Sequence, residues 1–262
     1  MIMKPKKSLG QNFLNDDRIL NDIVKCGNIT NKDIIVEIGP GTGNLTEKIL
    51  KKNPKKLIVV EKDKELSANL LNKFGNKIDV INNDILKCYN VFKNNRPIKV
   101  FGNLPYNIST KILISFIKLP NIENNFSKFI FVFQKEVAER IIAKYNSTYF
   151  GRLSILTSWK MNCSKVFDIS PRSFYPVPKV WSSLVVLVPK DKIEYLTKPK
   201  SLEHVTNIFF NQRRKMIKKP MKQLFSDYEN VALKLNLDLN LRPQNLPVNK
   251  YIDICKIYEK LS

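Results

Sequence analysis

Ile34-Ile35-Val36-Glu37-Ile38-Gly39-Pro40-Gly41-Thr42-Gly43 is a branched, apolar run that stops at a glycine-rich turn, and a helical pattern follows from Asn44. Branched residues favour a pleated, half-buried strand. Glycines in the turn let the backbone fold tightly and approach a ligand closely. A plain strand–helix turn has the same appearance, so the flanking sequence decides. Residues 57–60, 78–81, 98–101 and 129–133 are further β-rich runs. Between them, residues 16–25, 44–52 (with Asn44 a candidate N-cap), 64–74, 108–117 and 137–144 carry apolar side chains at helical spacing. Strands alternating with helices predict βαβ units and a mostly parallel sheet, an α/β fold. Residues 153–159 and 180–188 read as later strands with a proline-studded segment between them. After Pro189 the pattern changes to a linker and then short helical segments at 201–210, 213–225, 230–235 and 249–261. Two domains are expected: residues 1–189, and a small helical domain over 190–262.

Open α/β sheets hold their ligands at the carboxyl ends of the strands. The second strand ends at Glu61, about 20 residues beyond the turn, where a dinucleotide fold places the acid that accepts from ribose hydroxyls. Asp63 competes with it for that role. The third strand ends at Asp84, able to accept from an adenine amine, and Ile85 beside it can pack the ring. The fourth strand is followed by Asn103-Leu104-Pro105-Tyr106, an amide, a proline-forced turn and an aromatic ring that together suit a flat base. The loop reads Gly-x-Gly-x-Gly rather than Gly-x-Gly-x-x-Gly and has no basic residue, so a nucleoside without phosphates, such as S-adenosylmethionine, fits it better than NAD.

The 262 residues carry 45 Lys+Arg against 23 Asp+Glu, a formal net charge of +22. Such an imbalance raises self-repulsion and points to a polyanionic partner, although a codon bias toward lysine would also inflate it. No apolar stretch approaches the roughly 18 residues of a membrane span, and the basic N-terminus lacks the apolar core of a signal peptide. Cys26, Cys88, Cys163 and Cys255 are scattered, and the single histidine, His204, completes no ligand set, so no metal site is expected. Dispersed thiols suit a cytoplasmic protein.

The ordered set Gln11-Asn12-Phe13-Leu14, the glycine loop, Glu61, Asp84, residues 101–110 and residues 171–180 resembles the rRNA adenine N6-dimethyltransferases. Phe209-Phe210-Asn211-Gln212-Arg213-Arg214-Lys215 is similar to the C-terminal segment of the bacterial small-subunit type. The resemblance covers nearly the whole chain. It implies a class I, Rossmann-like methyltransferase with S-adenosylmethionine as methyl donor and a small C-terminal helical domain that binds RNA. It implies cofactor contacts at Asn12, Leu14, Gly39, Gly41, Glu61, Asp84, Ile85 and Asn103, and catalytic residues Asn103, Leu104, Pro105, Tyr106 and Phe174. The implied substrate is a pair of adjacent adenines near the 3′ end of 16S rRNA, met in a small-subunit (30S) assembly intermediate, by a monomer with no membrane association. One stretch departs from the pattern: Tyr145-Asn146-Ser147-Thr148 lacks the expected glycines.

The N6 amine of adenine is a poor nucleophile because its lone pair is delocalised into the ring. Asn103 Oδ1 and the Leu104 carbonyl would accept its two hydrogens and aim the lone pair at the donor methyl. Tyr106 would stack on the base and Phe174 cover its other face; core packing is the alternative for Phe174. Lys4, Lys6, Lys7, Arg213, Arg214, Lys215, Lys218 and Lys219 are candidates for phosphate contacts. A resistance-type enzyme acting on large-subunit RNA and a non-catalytic assembly factor are the rival readings.

Overall fold

A computed structural model describes residues 5, 6, 9–88, 92 and 97–261; Lys4 and Lys7 lie outside the described residues. The strands are β1 (Phe13–Leu14), β2 (Ile34–Ile38), β3 (Lys56–Glu61), β4 (Asp79–Asn82), β5 (Ile98–Asn103), β6 (Phe126–Gln134), β7 (Met161–Ile169), β8 (Phe174–Tyr175) and β9 (Ser182–Pro189). The helices are α1 (Asp17–Cys26), α2 (Asn44–Leu50), α3 (Lys64–Phe74), α4 (Ser109–Ile117), α5 (Ile122–Asn125), α6 (Lys135–Ile142), α7 (Arg152–Lys160), α8 (Lys200–Phe210), α9 (Lys218–Leu224), α10 (Tyr228–Lys234) and α11 (Val248–Leu261). Seven strands form one sheet in the order β4-β3-β2-β5-β6-β9-β7, and β1 and β8 form a separate two-stranded pair. Strands β2 to β6 run parallel, and β9 lies antiparallel to β6. The chain winds outward from β2 in one direction and from β5 in the other. The switch point therefore falls between β2 and β5, where such sheets open a crevice.

The alternation of β6 shows how the layers form. Ile130 and Val132 turn to one face, where they join Leu20, Ile23, Leu45, Ile49 and Leu70 of α1, α2 and α3 in one buried cluster. Phe129 and Phe131 turn to the other face and meet Phe116 of α4 at centroid distances of 5.2 and 6.3 Å. Phe116 also makes edge contacts with Phe92 (5.0 Å) and Phe126 (5.5 Å). Truncation to Phe116→Ala is expected to cost about 3–5 kcal/mol, because so many partners cannot close the void; chemical denaturation of purified variant and parent measures it.

Two compact units are present: Met1–Ala138 with Cys163–Pro189, and Glu139–Asn162 with Lys190–Ser262. One break falls at Pro189, and the second unit is not continuous but also takes in residues 139–162. Residues 153–159, expected as a strand, lie in the helix α7. Ser154, Ile155, Leu156, Thr157 and Trp159 are all buried around it, which erases the helical stripe. Thr157 Oγ1 donates to the Leu153 carbonyl four residues back (2.8 Å). Strand β7 escaped the sequence because it is a sheet-edge strand with mixed polarity. Asn44 is not the N-cap of α2; Gly43 holds that position, and Asn44 Nδ2 donates to the Leu14 carbonyl (3.0 Å) and Asn15 Oδ1 (2.8 Å). In the departing loop, Asn146 itself takes the left-handed conformation, with φ 69°. Its N–H donates to the Gln244 carbonyl (2.8 Å), so asparagine does here what glycine would do.

Candidate active site

The carboxyl ends of β2, β3 and β5 surround one cleft in the first unit. Asn12, Leu14, Gly39, Gly41, Glu61, Asp84, Ile85, Asn103, Leu104 and Pro105 all line it. Gly41 sits at φ 57°, and a Cβ there would meet Phe13 Cδ1 at 2.7 Å, so both conformation and space require glycine. The turn is tied to the end of β3: the Gly41 N–H donates to Glu61 Oε2 (3.2 Å) and the Asp63 N–H to Oε1 (2.9 Å). Glu61 is 6% exposed, and burial raises its pKa against the pull of those N–H groups.

Asp63, the competing acid, is committed elsewhere. Its Oδ1 caps α3 by accepting from the Glu65 N–H (3.0 Å), and its Oδ2 pairs with Lys6 Nζ (2.7 Å). Asp84 Oδ1 accepts from the Leu86 N–H (3.0 Å), and Oδ2 pairs with Lys62 Nζ (3.1 Å). Burial pushes its pKa up, but the Leu86 N–H and Lys62 outweigh that and leave it lowered.

Asn103 ends β5 with its amide orientation set. Nδ2 donates to the Asn12 carbonyl at 2.7 Å. A carbonyl can only accept, so the nitrogen must face it and Oδ1 is left as the acceptor on the other side. Gly102 makes room for this turn, because a Cβ there would lie 2.7 Å from Leu104 Cδ2 and 3.1 Å from the Ile38 carbonyl oxygen. Tyr106 does not line the cleft itself. Its hydroxyl lies 2.5 Å from Ser182 Oγ at the start of β9, which pins the ring beside the turn. Phe174 is not brought into the cleft. It is 3% exposed, pairs with Leu14 across the β1–β8 ladder and belongs to the buried cluster with Leu20 and Ile169. Alternation along β8 turns Phe174 inward and leaves Tyr175 50% exposed. In this structure Phe174 packs in the core and does not line the cleft.

Among the cleft residues not singled out from sequence is a buried carboxylate. Glu37, in the middle of a buried strand, is 1% exposed and lines the cleft beside Glu61. Thr46 Oγ1 donates to its Oε2 (2.7 Å), and burial pushes its pKa up to about 8. The signal was a lone carboxylate within five otherwise apolar positions.

The sequence profile described as "Ribosomal RNA adenine dimethylase" matches residues 2–260. The chain belongs to the ribosomal RNA adenine dimethylase family. A Pelagibacter ubique protein named ribosomal RNA small subunit methyltransferase A is 53% identical, covering 100% of this chain and 99% of that one. A protein of the same name from Ehrlichia ruminantium is 42% identical over 97% of each chain. The crystal structure of a dimethyladenosine transferase from Plasmodium falciparum superposes with a TM-score of 0.75 at 26% identity, covering 95% of this chain and 98% of that one. This family member is accordingly an enzyme that dimethylates adenine in rRNA, on the fold of S-adenosylmethionine-dependent methyltransferases with a C-terminal helical extension. The cleft fits that donor chemically: buried acceptors at Glu61 and Glu37, an acid and an apolar residue at Asp84 and Ile85, and no basic side chain in the glycine turn to demand a phosphate. Among the described residues no group of three or more His, Cys, Asp or Glu could hold a metal ion, and no helix is long and apolar enough to cross a membrane.

The basic candidates divide. Lys6 is paired with Asp63, and Arg213 donates from Nε to Gln244 Oε1 (3.1 Å) and from Nη2 to the Thr148 carbonyl, bracing its own unit. Arg214, Lys215, Lys218 and Lys219 are exposed in the second unit.

Proposed function

We propose that this enzyme dimethylates N6 of two adjacent adenosines near the 3′ end of 16S rRNA, acting as a cytoplasmic monomer on a small-subunit assembly intermediate. The fixed Asn103 amide carries the chemistry. The choice of RNA rests on the full-length likeness to relatives named for the small subunit.

S-adenosylmethionine, when bound, supplies a methyl group on a sulfonium, ready for in-line displacement. Glu61 would hold its ribose: a carboxylate has about four acceptor sites, and two are used by Gly41 and Asp63. Asp84 would accept from the adenine amine of the donor, with Ile85 against the ring; Asn12, Leu14 and the turn at Gly39 and Gly41 would complete its cradle. Asn103 Oδ1 and the Leu104 carbonyl would accept from the N6 hydrogens of the target base, and Pro105 fixes the turn that presents them. Tyr106, held by Ser182, would offer its face to that base. Base–aromatic stacking supplies roughly 1–3 kcal/mol. The neutral Asn103 amide can still accept the single hydrogen that remains after a first transfer. No strong base is needed, because the methylated ammonium is acidic enough to lose its proton to solvent.

Exposed Arg214, Lys215, Lys218 and Lys219 would neutralise phosphates. With about four contacts to single-stranded RNA, affinity should fall roughly fifty-fold between 50 and 200 mM salt. Filter binding across a salt series measures the slope, and a flat response removes the electrostatic role. Primer extension on rRNA from cells lacking the gene tests the substrate. Loss of reverse-transcription stops at two adjacent adenines of 16S rRNA is expected, and loss at a large-subunit position instead would overturn the assignment.

A further inference from the structure

We infer that Trp181 is a stacking platform for an unpaired RNA base next to the target adenine. The inference rests on the rRNA substrate just proposed and adds a residue to its recognition. Tyr175, Val177, Val180 and Trp181 are 50%, 63%, 44% and 50% exposed, four large apolar side chains within seven residues of one segment. Lys179, between them, is exposed as well. From Ile169 to Lys190 the chain contains no carboxylate. Two exposed aromatic rings with a lysine between them, in a segment whose nearest acid, Asp168, is already neutralised by Lys135, suit single-stranded nucleic acid, since every base has a face to stack and a phosphate to neutralise. A protein partner built on apolar contact alone would have no use for that charge pattern.

Position and rigidity single out Trp181 within the segment. The next residue, Ser182, holds the Tyr106 hydroxyl at 2.5 Å, so Trp181 lies one residue from the contact that fixes the Tyr106 ring. Its carbonyl accepts from the Lys135 N–H (2.9 Å), and the Lys135 ammonium is itself anchored on Asp168 Oδ2 (2.6 Å). Asp168 Oδ1 accepts from Ser183 Oγ (2.7 Å), tying the residue on the other side of Ser182 to the same anchor. The backbone under the indole is thus held from both flanks while the ring stays half in solvent. An aromatic ring carried on a held backbone has only its two side-chain torsions to lose when a base lands on it.

The test uses the full chain and unmethylated small ribosomal subunits, with a single-stranded oligoribonucleotide containing adjacent adenosines as a binding probe. Trp181→Ala should raise KM for the subunits about tenfold or more, leave KM for S-adenosylmethionine in place, and be rescued by Trp181→Phe. Leu233→Ala, 80% exposed in the other unit, is the control and should match the parent. The chain has two tryptophans, and Trp159 is 3% exposed with its Nε1 on the Glu194 carbonyl (2.7 Å). Iodide quenching therefore reports Trp181, and the oligonucleotide should protect it. An unchanged KM in Trp181→Ala, or undiminished iodide quenching in the RNA complex, would overturn the platform. So would protection that depends on protein concentration without RNA, which would assign the patch to contact between copies. If the parent itself leaves the subunits unmethylated, the substrate reading fails; if the parent methylates them and Trp181→Ala does so equally well, only the platform fails.

Discussion

Asn103→Ala is expected to slow methyl transfer by about 10²–10³-fold, the usual loss when one preorganised acceptor or donor is removed from a reacting centre. The side chain has two tasks on its two ends. Nδ2 is spent on the Asn12 carbonyl at 2.7 Å, and this bond aims Oδ1 at the place where the N6 hydrogens would lie. Asn103→Asp separates aim from acceptance. An aspartate keeps an acceptor of the same size, but its second oxygen would face the Asn12 carbonyl, two acceptors with no hydrogen between them. Rotation or protonation must follow, so Asp should lose nearly as much as Ala. Single-turnover transfer of labelled methyl groups measures the rate, and calorimetric binding of S-adenosylhomocysteine checks the cleft, where only a few-fold change is expected. A rate near that of the parent in Asn103→Ala would remove the amide from the mechanism.

The parts of this site that were legible in sequence share one property: their chemistry is written in consecutive residues. Strand β2 and its turn could be read because a branched run meets glycines, and Glu61 and Asn103 at strand ends, with Asp84 two residues past β4, followed from alternating elements. The topology then brings those ends together, as βαβ winding requires. What sequence hid was side-chain direction and all-round burial. Nothing in Phe174-Tyr175 says which ring turns inward until β8 pairs with β1. Helix α7 looked like a strand because its neighbours bury every side of it. Glu37 and Thr46 are nine residues apart and declare a shared hydrogen bond only once α2 lies over β2. Arg213 looked like an RNA contact because its use by Thr148 and Gln244 depends on loops that pattern cannot place.

The choice between Glu61 and Asp63, open in the sequence, becomes a sharp contrast in the structure. Glu61→Ala is expected to weaken S-adenosylmethionine binding by about 10²–10⁴-fold, since two hydrogen bonds to a charged acceptor are worth roughly 1.5–3 kcal/mol each. Glu61→Gln should lose most of that as well. Gly41 and Asp63 present N–H groups to the two carboxyl oxygens, and an amide can offer an acceptor to only one of them. Asp63→Asn should behave differently, because its oxygens serve the α3 N-cap and Lys6. Its expected cost is stability, about 0.5–2 kcal/mol, with cofactor affinity kept. Acidity gives a second handle. Burial raises the Glu61 pKa, so protonation begins at a higher pH than for a free glutamate, and the ribose acceptor is lost as pH falls through that raised value. Cofactor affinity in the parent should decline on the acid side, starting at a higher pH than a free glutamate would give, and this decline should be reduced in Glu61→Gln. Calorimetric titration of parent and variants across pH reads all of these together. Loss of affinity in Asp63→Asn with retention in Glu61→Gln would hand the ribose to Asp63 and require the Lys6 pair to open on binding.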